Sequence, residues 1–218
     1  MKLANVTLPT YTKGEEIFNS VSHSTGILLG IASFVFCFLK ATDTNAYLGT
    51  AIFALSAVIL YTCSSLYHSM RKSDIKKIMR LLDHSTIFML ITGTSISLTI
   101  ICVYPYNKIL ATFMGLLSFI LSTAGVVLTF IDHEKYKKVQ MILYMTVGWM
   151  SAVLIYPIYK HCPRGSEIIA FVVAGGLIYT VGTIFYAAGK KKKYFHGVFH
   201  IFVLTGTLLH FLGIYTAI

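Results

Sequence analysis

The chain has 218 residues, of which 56% are hydrophobic and 12% are charged, and its mean hydropathy is +0.74. Soluble domains carry about 25% charged residues, so this composition excludes a soluble globular protein and leaves no room for a separate soluble domain. The net charge of +10 does not indicate nucleic-acid binding, because the basic residues form short clusters between apolar runs, which is typical of membrane proteins.

Seven apolar runs are long enough to cross a membrane as helices, since a span needs about 20 residues and must satisfy its own backbone hydrogen bonds. In chain order, the predicted spans cover residues 21–39, 46–66, 84–104, 109–131, 140–159, 167–188 and 195–217. The sequence therefore predicts an all-α integral membrane bundle of seven transmembrane helices. We expect this bundle to be a single domain over residues 1–218 that begins with a short polar cytoplasmic segment at 1–15.

The Lys and Arg residues are distributed unevenly between the two sides of this bundle. Fourteen of them lie in the N-terminal segment and in the connections after the second, fourth and sixth spans, and four lie on the other side. Cytoplasmic loops of membrane proteins are enriched in Lys and Arg. We therefore expect a multi-pass protein of the cell membrane, with a cytoplasmic N-terminus and the C-terminus outside.

Polar residues that could bind a metal or take part in catalysis gather at the predicted cytoplasmic ends of four spans. Ionisable residues inside or at the ends of spans are costly and are often functional. In chain order, these candidates are Glu16, Asn19, His23, Ser64, His68, Asp83, His196 and His200. No comparable cluster occurs at the outer ends, so a functional site is expected near the inner face.

His196 and His200 are spaced i, i+4, which places both imidazoles on one helical face, where they can share a metal ion. In a soluble helix this spacing more often means two surface histidines, but here it interrupts an apolar span, and His68 adds a third imidazole at the same depth. Three imidazoles and one open position are typical of catalytic zinc, and neutral imidazole suits zinc better than magnesium or calcium. His68, His196 and His200 are therefore the predicted ligands of Zn²⁺.

Two further residues can take part in chemistry at such a metal. Asp83 can orient a water at the metal or take its proton, and it can also cap the third helix. Ser64 lies one turn before His68 and can hydrogen-bond that water or a developing oxyanion. Alternatively, the Ser64 hydroxyl bonds back to a carbonyl of its own helix. Asp83 and Ser64 are the candidate catalytic residues.

The remaining polar residues are expected to support the site. His23 can be a fourth ligand, but a hydrogen bond to one of the ligands is the favoured interpretation. Glu16 and Asn19 are expected to cap the first helix and to bind across to the inner loops. His84 is expected to have a capping or interfacial role, and residues 132–134 are expected to be solvated.

Four segments resemble the motifs of a known family. They are Glu16-Ile-Phe-Asn19-Ser-Val-Ser22-His23, Ser64-Ser-Leu-Tyr-His68, Leu82-Asp83-His-Ser85-Thr-Ile followed by Ile91-Thr-Gly93-Thr-Ser95, and His196-Gly-Val-Phe-His200. In order, spacing and placement they resemble the hemolysin III proteins of bacteria, which are similar to the adiponectin and progestin receptors. The resemblance implies a seven-helix bundle with a cytoplasmic N-terminus and zinc held by the three matching histidines. It also implies that Asp83 and Ser64 lie close to a water at the metal.

The same resemblance implies the expected function. The eukaryotic relatives of this family are linked to ceramidase-type hydrolysis, whereas the bacterial branch is named for a haemolytic, pore-forming effect. The sequence lacks the long N-terminal region of the receptors, so hormone signalling is not expected. We expect a zinc-dependent hydrolase of lipid amides with a membrane lipid as its substrate. A membrane-lytic protein and a lipid sensor with structural zinc are the alternatives.

Overall fold

The computed structural model describes residues 5–189 and 192–218, which form helices and no strands. The helices are α1 (Lys13–Lys40), α2 (Thr44–Ser69), α3 (Asp74–Leu98), α4 (Lys108–Met150), α5 (Ile155–His161), α6 (Gly165–Ala188) and α7 (Phe195–Ala217). A π-helical turn at Thr99–Val103 extends α3, and a 3₁₀ turn at Ser151–Leu154 joins α4 to α5. Three residues of the basic clusters, Lys2, Lys190 and Lys191, lie outside the described residues.

The start of α1 is fixed by a capping box. The Thr12 hydroxyl accepts a hydrogen bond from the Glu15 backbone N–H at 3.3 Å, and the Glu15 carboxylate accepts one from the Thr12 N–H at 2.9 Å, so two otherwise unpaired donors are satisfied. The expectation that Glu16 and Asn19 cap this helix is therefore wrong. Both lie beyond the cap, where their side chains are free to contact neighbouring helices.

Helix α3 begins at Asp74, well before the predicted start of the third span. The Ser73 hydroxyl is its N-cap and accepts a hydrogen bond from the first turn. Asp83 consequently lies inside the helix, so the interpretation of Asp83 as an N-cap is wrong. His84 is also inside the helix, with its buried ring 4.3 Å from that of His133, so the expected capping or interfacial role is wrong as well.

Helix α4 reverses direction at Asp132. Its 43 residues would extend about 65 Å if straight, far more than the hydrocarbon thickness of about 30 Å. Asp132 has φ −163° and ψ 94°, an extended geometry that interrupts the helix. Phe88 of α3 packs against Gly125 before this break and against Tyr144 after it. One ring can contact both residues only because the two arms of α4 fold back beside α3.

Six helical segments of the described residues are long and apolar enough to cross a membrane. The first three and the last two predicted spans are separate segments. The predicted spans 109–131 and 140–159 instead belong to one segment, Lys108–His161, of 54 residues. The predicted loop between them is missing because the residues on both sides of Asp132 are helical. The chain is thus an all-helical integral membrane bundle.

The helices pack in a ring in which the first and the last helix are neighbours. Helix α1 packs against α2 and α7, α3 lies between α2 and α4, and α6 packs against α7. Close approach depends on small residues, as at Gly197 of α7, which faces the ring of Phe18 of α1. Large apolar side chains such as Leu39 and Ile109 point outward, with exposures of 78% and 85%. This outer surface is suited to lipid, and the ring places the ends of α2 and α7 beside α1.

Candidate metal centre

Three imidazoles from two helices meet at one end of the bundle. His68 lies in the last turn of α2, and His196 and His200 lie on one face of the first turns of α7. One ring nitrogen from each histidine lies within 4.8 Å of the other two. His68 and His200 are almost fully buried, and His196 is partly buried. The structure thus brings together the three histidines that the sequence singles out.

Hydrogen bonds to the Nδ1 atoms determine where the lone pairs of two rings point. His68 Nδ1 lies 2.7 Å from Glu16 Oε2, and because a carboxylate accepts, Nδ1 is the donor and Nε2 keeps its lone pair. His200 Nδ1 donates to the backbone carbonyl of Asn19 at 3.1 Å. The Nε2 atoms of His200 and His196 are 3.1 Å apart. Two of the three inward nitrogens therefore carry lone pairs directed into the cluster.

This arrangement fits a metal ion. Two nitrogens bound to one tetrahedral zinc at 2.0–2.1 Å would be about 3.3 Å apart, close to the 3.1 Å between His196 and His200. His68 Nε2 is buried without a hydrogen-bond partner among the described residues, which costs about 1–3 kcal/mol when nothing binds there. An Nδ1 atom held by a carboxylate or a backbone carbonyl is typical of ligand histidines. The three histidines can therefore hold a metal ion.

Asp83 and Ser64 lie beside the histidines. The Asp83 carboxylate interacts electrostatically with His68 and with the Ser64 hydroxyl. Ser64 is almost fully buried, and within the described residues its Oγ makes no hydrogen bond of normal geometry. The alternative in which this hydroxyl bonds back to its own helix carbonyl is therefore wrong. The hydroxyl is directed toward the Asp83 carboxylate instead.

Three polar residues of α1 surround the histidines rather than join them. Besides His68, the Glu16 carboxylate binds the ammonium of Lys76 at 2.5 Å. Asn19 contributes its backbone carbonyl. The His23 ring stacks on that of His200, with centroids 3.6 Å apart and 13° between the planes, and it is not one of the three residues whose nitrogens converge. The geometry favours His23 as a packing partner over a fourth ligand. The expected hydrogen bond from His23 to a ligand histidine is wrong, because neither ring nitrogen has a hydrogen-bond partner among the described residues.

A polar cavity adjoins the cluster, and an apolar cavity shares part of its lining. A polar cavity of about 450 Å³ is lined by His196 and Asp83 and by residues that precede α1. An apolar cavity of about 150 Å³ lies between α3, the second arm of α4, α6 and α7. His84 and Tyr186 line both cavities. The arrangement can therefore place a polar group near the histidines while an apolar group lies within the bundle.

A further polar cluster, which was not predicted from the sequence, lies in the wall of the polar cavity. Glu134 accepts hydrogen bonds from Arg80 and from the Thr7 hydroxyl, each at 2.7 Å, and His133 is buried with its Nδ1 2.9 Å from the side-chain oxygen of Gln140. The expectation that residues 132–134 are solvated is therefore wrong for His133, which is buried, whereas Asp132 and Glu134 are half-buried. No local motif marks the contacts of Glu134, since they join residues far apart in the chain.

Tyr11 was also missed. Its ring stacks on that of His196, with centroids 5.3 Å apart and 21° between the planes, and it lines the polar cavity. Burial raises the pKa of the Tyr11 phenol above its usual range, so the hydroxyl stays protonated at neutral pH. The one local signal nearby is the Thr12 capping box, which shows that Tyr11 directly precedes a helix.

Comparison with known proteins gives a consistent relationship. A family model described as haemolysin-III related matches residues 11–211. The chain is 30% identical over 204 residues to the Hemolysin-3 homolog of Bacillus subtilis (strain 168), which covers 92% of this chain and 93% of that protein. It is 28% identical over 201 residues to Hemolysin-3 of Bacillus cereus, covering 90% and 89%. The human monocyte to macrophage differentiation factor is 23% identical over 211 residues, covering 92% and 83%.

Proposed function

Because the chain belongs to the haemolysin-III-related family of multi-pass membrane proteins, we propose that it is a zinc-dependent hydrolase of lipid amides, active at the inner membrane face. One observation carries this proposal. Three imidazoles converge beside Asp83, where a polar cavity adjoins an apolar one. A structural metal alone would need neither a buried carboxylate and hydroxyl beside it nor cavities suited to an amphiphile.

Zinc is the metal that the donor set favours. Neutral imidazoles bind zinc, copper, iron and nickel in preference to magnesium or calcium, and a site of three histidines leaves one position open. When bound, zinc would polarise a substrate carbonyl and make water a better nucleophile at neutral pH. His68, His196 and His200 are the proposed ligands, with Glu16 and the Asn19 carbonyl fixing two of the rings.

The chain's own residues supply the remaining chemistry. Asp83 would accept the proton of the attacking water, because its carboxylate is the acid that interacts with both His68 and Ser64. The Ser64 hydroxyl would donate a hydrogen bond to the carbonyl oxygen as negative charge develops on it. His23 would keep the ring of His200 in place by stacking. The proposed catalytic residues are therefore Asp83 and Ser64.

A membrane lipid fits the two cavities. Its acyl chain would occupy the apolar cavity, whose lining includes Leu90 and Val203. Its polar end would lie in the polar cavity beside Asp83 and His196. The amide bond would then cross the boundary formed by His84 and Tyr186, which line both spaces.

The proposal includes seven membrane crossings, with the N-terminus in the cytoplasm and the C-terminus outside. The reversal at Asp132 supports two crossings by the segment Lys108–His161. The hydrogen bond of 2.9 Å from Asn5 to Asp132 supports a position of this reversal on the side of the N-terminus. The excess of Lys and Arg on that side supports a cytoplasmic location.

The test compares the purified wild-type protein with His68→Ala, His196→Ala and His200→Ala. His161→Ala is the matched control, because His161 is an exposed histidine outside the cluster. We expect one zinc per chain in the wild type and the control, little in the three variants, and a parallel loss of cleavage on a panel of lipid amides. Stoichiometric zinc without cleavage of any amide would contradict the hydrolase. If that zinc-loaded but inactive protein also unfolds when the metal is removed, a lipid sensor with structural zinc would fit instead.

Membrane lysis is a second candidate, favoured by the names of the two Bacillus relatives. A water-filled pore needs polar residues along its length, whereas the cavity that runs through the bundle is lined mainly by apolar residues. The same five proteins, added to dye-loaded liposomes, separate the two functions. Leakage that is equal in the wild type and the three histidine variants would favour lysis.

A further inference from the structure

The residues that precede α1 are tied to the rest of the bundle. We call residues 5–12 the pre-α1 segment. Asn5 donates a hydrogen bond to Asp132 at 2.9 Å, and the Thr7 hydroxyl donates one to Glu134 at 2.7 Å. The guanidinium of Arg80 binds the carbonyl of Thr7. Together these contacts fasten the segment to the reversal of α4 and to α3.

The pre-α1 segment forms one wall of the polar cavity. Residues 7–12 line it together with Arg80, Asp83 and His196. A ligand in this cavity would therefore lie between the segment and the histidine cluster.

Tyr11 is the residue of this wall whose ring contacts two of the proposed ligands. Its ring stacks on His196 and lies 5.8 Å, centroid to centroid, from that of His68. Its phenol interacts with the charges of Arg80 and Asp83 across the cavity. Within residues 5–189 and 192–218, no group is hydrogen-bonded to the Tyr11 hydroxyl. The cavity thus contains a donor that has no acceptor among the described residues.

We propose that Tyr11 is a ligand-contacting residue of the histidine site, and that its hydroxyl donates a hydrogen bond to a carbonyl or carboxylate-type oxygen of a ligand at the metal. The inference rests on the proposed binding of a metal by the three histidines. A phenol held against His196 by the pre-α1 segment would orient such an oxygen from the wall that this segment forms. The Tyr11 hydroxyl would be a second neutral hydrogen-bond donor at the site, besides the Ser64 hydroxyl.

The test uses the cobalt-loaded full chain in detergent and acetohydroxamate as the probe, because this small ligand binds metals through a carbonyl oxygen and cobalt absorption reports its binding. Tyr11→Phe removes only the hydroxyl. Tyr47→Phe is the matched control, since Tyr47 is an exposed tyrosine near the start of α2. Metal content is measured on every protein before the titration.

We expect Tyr11→Phe to keep its cobalt and to bind acetohydroxamate about three- to tenfold more weakly, as for the loss of one hydrogen bond. Tyr47→Phe should match the wild type. Equal affinities in Tyr11→Phe and the wild type would overturn the role of Tyr11 and leave the metal site intact. Loss of cobalt from Tyr11→Phe would show that Tyr11 supports the metal instead of the ligand. A wild-type protein without bound metal would overturn this inference together with the proposed function.

Discussion

The Glu16 carboxylate determines how His68 presents its free nitrogen. It accepts a hydrogen bond from His68 Nδ1 at 2.7 Å and binds the Lys76 ammonium at 2.5 Å. We expect Glu16→Ala to lower zinc affinity by about 10- to 100-fold, because the bond that fixes the tautomer and orientation of the ligand ring is lost. Glu16→Gln should lose less, since its amide oxygen can still accept. Zinc retained against increasing chelator concentrations measures the change.

Asp74→Ala is the control for this prediction. Asp74 is an acid at the start of α3 whose side chain is 76% exposed and which pairs with Lys77. Exposed ion pairs contribute little, so the zinc affinity of Asp74→Ala should equal that of the wild type. An equally unchanged affinity in Glu16→Ala would mean that His68 is oriented by packing and not by its carboxylate partner.

Single residues differ in how far the sequence can predict their roles. A metal-binding role for the His196–His200 pair is predicted by its helical spacing. Functional roles for Asp83 and His68 are predicted because such residues are rare near apolar spans. Arg80 and Tyr11 could not be assigned in this way, because each acts through partners far away in the chain. An arginine in a basic connection or a tyrosine before a helix carries no local sign of such a contact.

At the scale of elements, glycine placement decides how closely helices can approach. Gly125 and Gly115 both lie inside α4, but a methyl group on Gly125 would overlap the Phe88 ring, whereas a methyl group on Gly115 would meet nothing. We expect Gly125→Ala to destabilise the protein by about 1–3 kcal/mol through overpacking. Gly115→Ala should be neutral or stabilising by up to about 1 kcal/mol, because alanine favours helix. Thermal unfolding in detergent measures both.

This pair tests whether the two arms of α4 fold back along α3. If Gly125→Ala were as stable as Gly115→Ala, the contact with Phe88 would not be tight, and the geometric support for the reversal at Asp132 would be lost. The same ring also contacts Tyr144 on the other arm, so Phe88 holds both arms in place.

Element boundaries were predictable only where a local signal exists. Hydropathy predicts the apolar part of a helix, which is why the first ten residues of α3 were missed although Ser73 carries a capping side chain. The Thr12–Glu15 pair has the spacing of a capping box and could have been found from the sequence. The polar stretch around Asp132 resembles a loop in hydropathy, but its residues on both sides are helical.

At the scale of the whole molecule, chemistry is concentrated at one end of an otherwise apolar bundle. The three histidines, Asp83 and the polar cavity lie there, and the apolar cavity extends from that end to His210. Burying so many polar groups in a membrane protein is costly unless they bind one another or a ligand. The presence of a polar cavity next to an apolar one, rather than any single residue, favours a lipid as the ligand.

The number of crossings follows from the path of the segment Lys108–His161. If its two arms each cross the membrane, the reversal at Asp132 lies on the side of the N-terminus, and α6 and α7 then leave Ile218 on the opposite side.

Fusions to a fluorescent protein that folds only in the cytoplasm, and to a phosphatase active only outside, distinguish this topology of seven crossings from one of six. We expect fluorescence from a fusion after Lys138 and phosphatase activity from a fusion after Ile218, with a fusion in the α1–α2 turn at Asp43 as the outside control. A cytoplasmic Ile218 would mean six crossings. In that case the two arms of α4 would not both span the bilayer, and the second arm could not form the wall of an apolar cavity within the hydrocarbon.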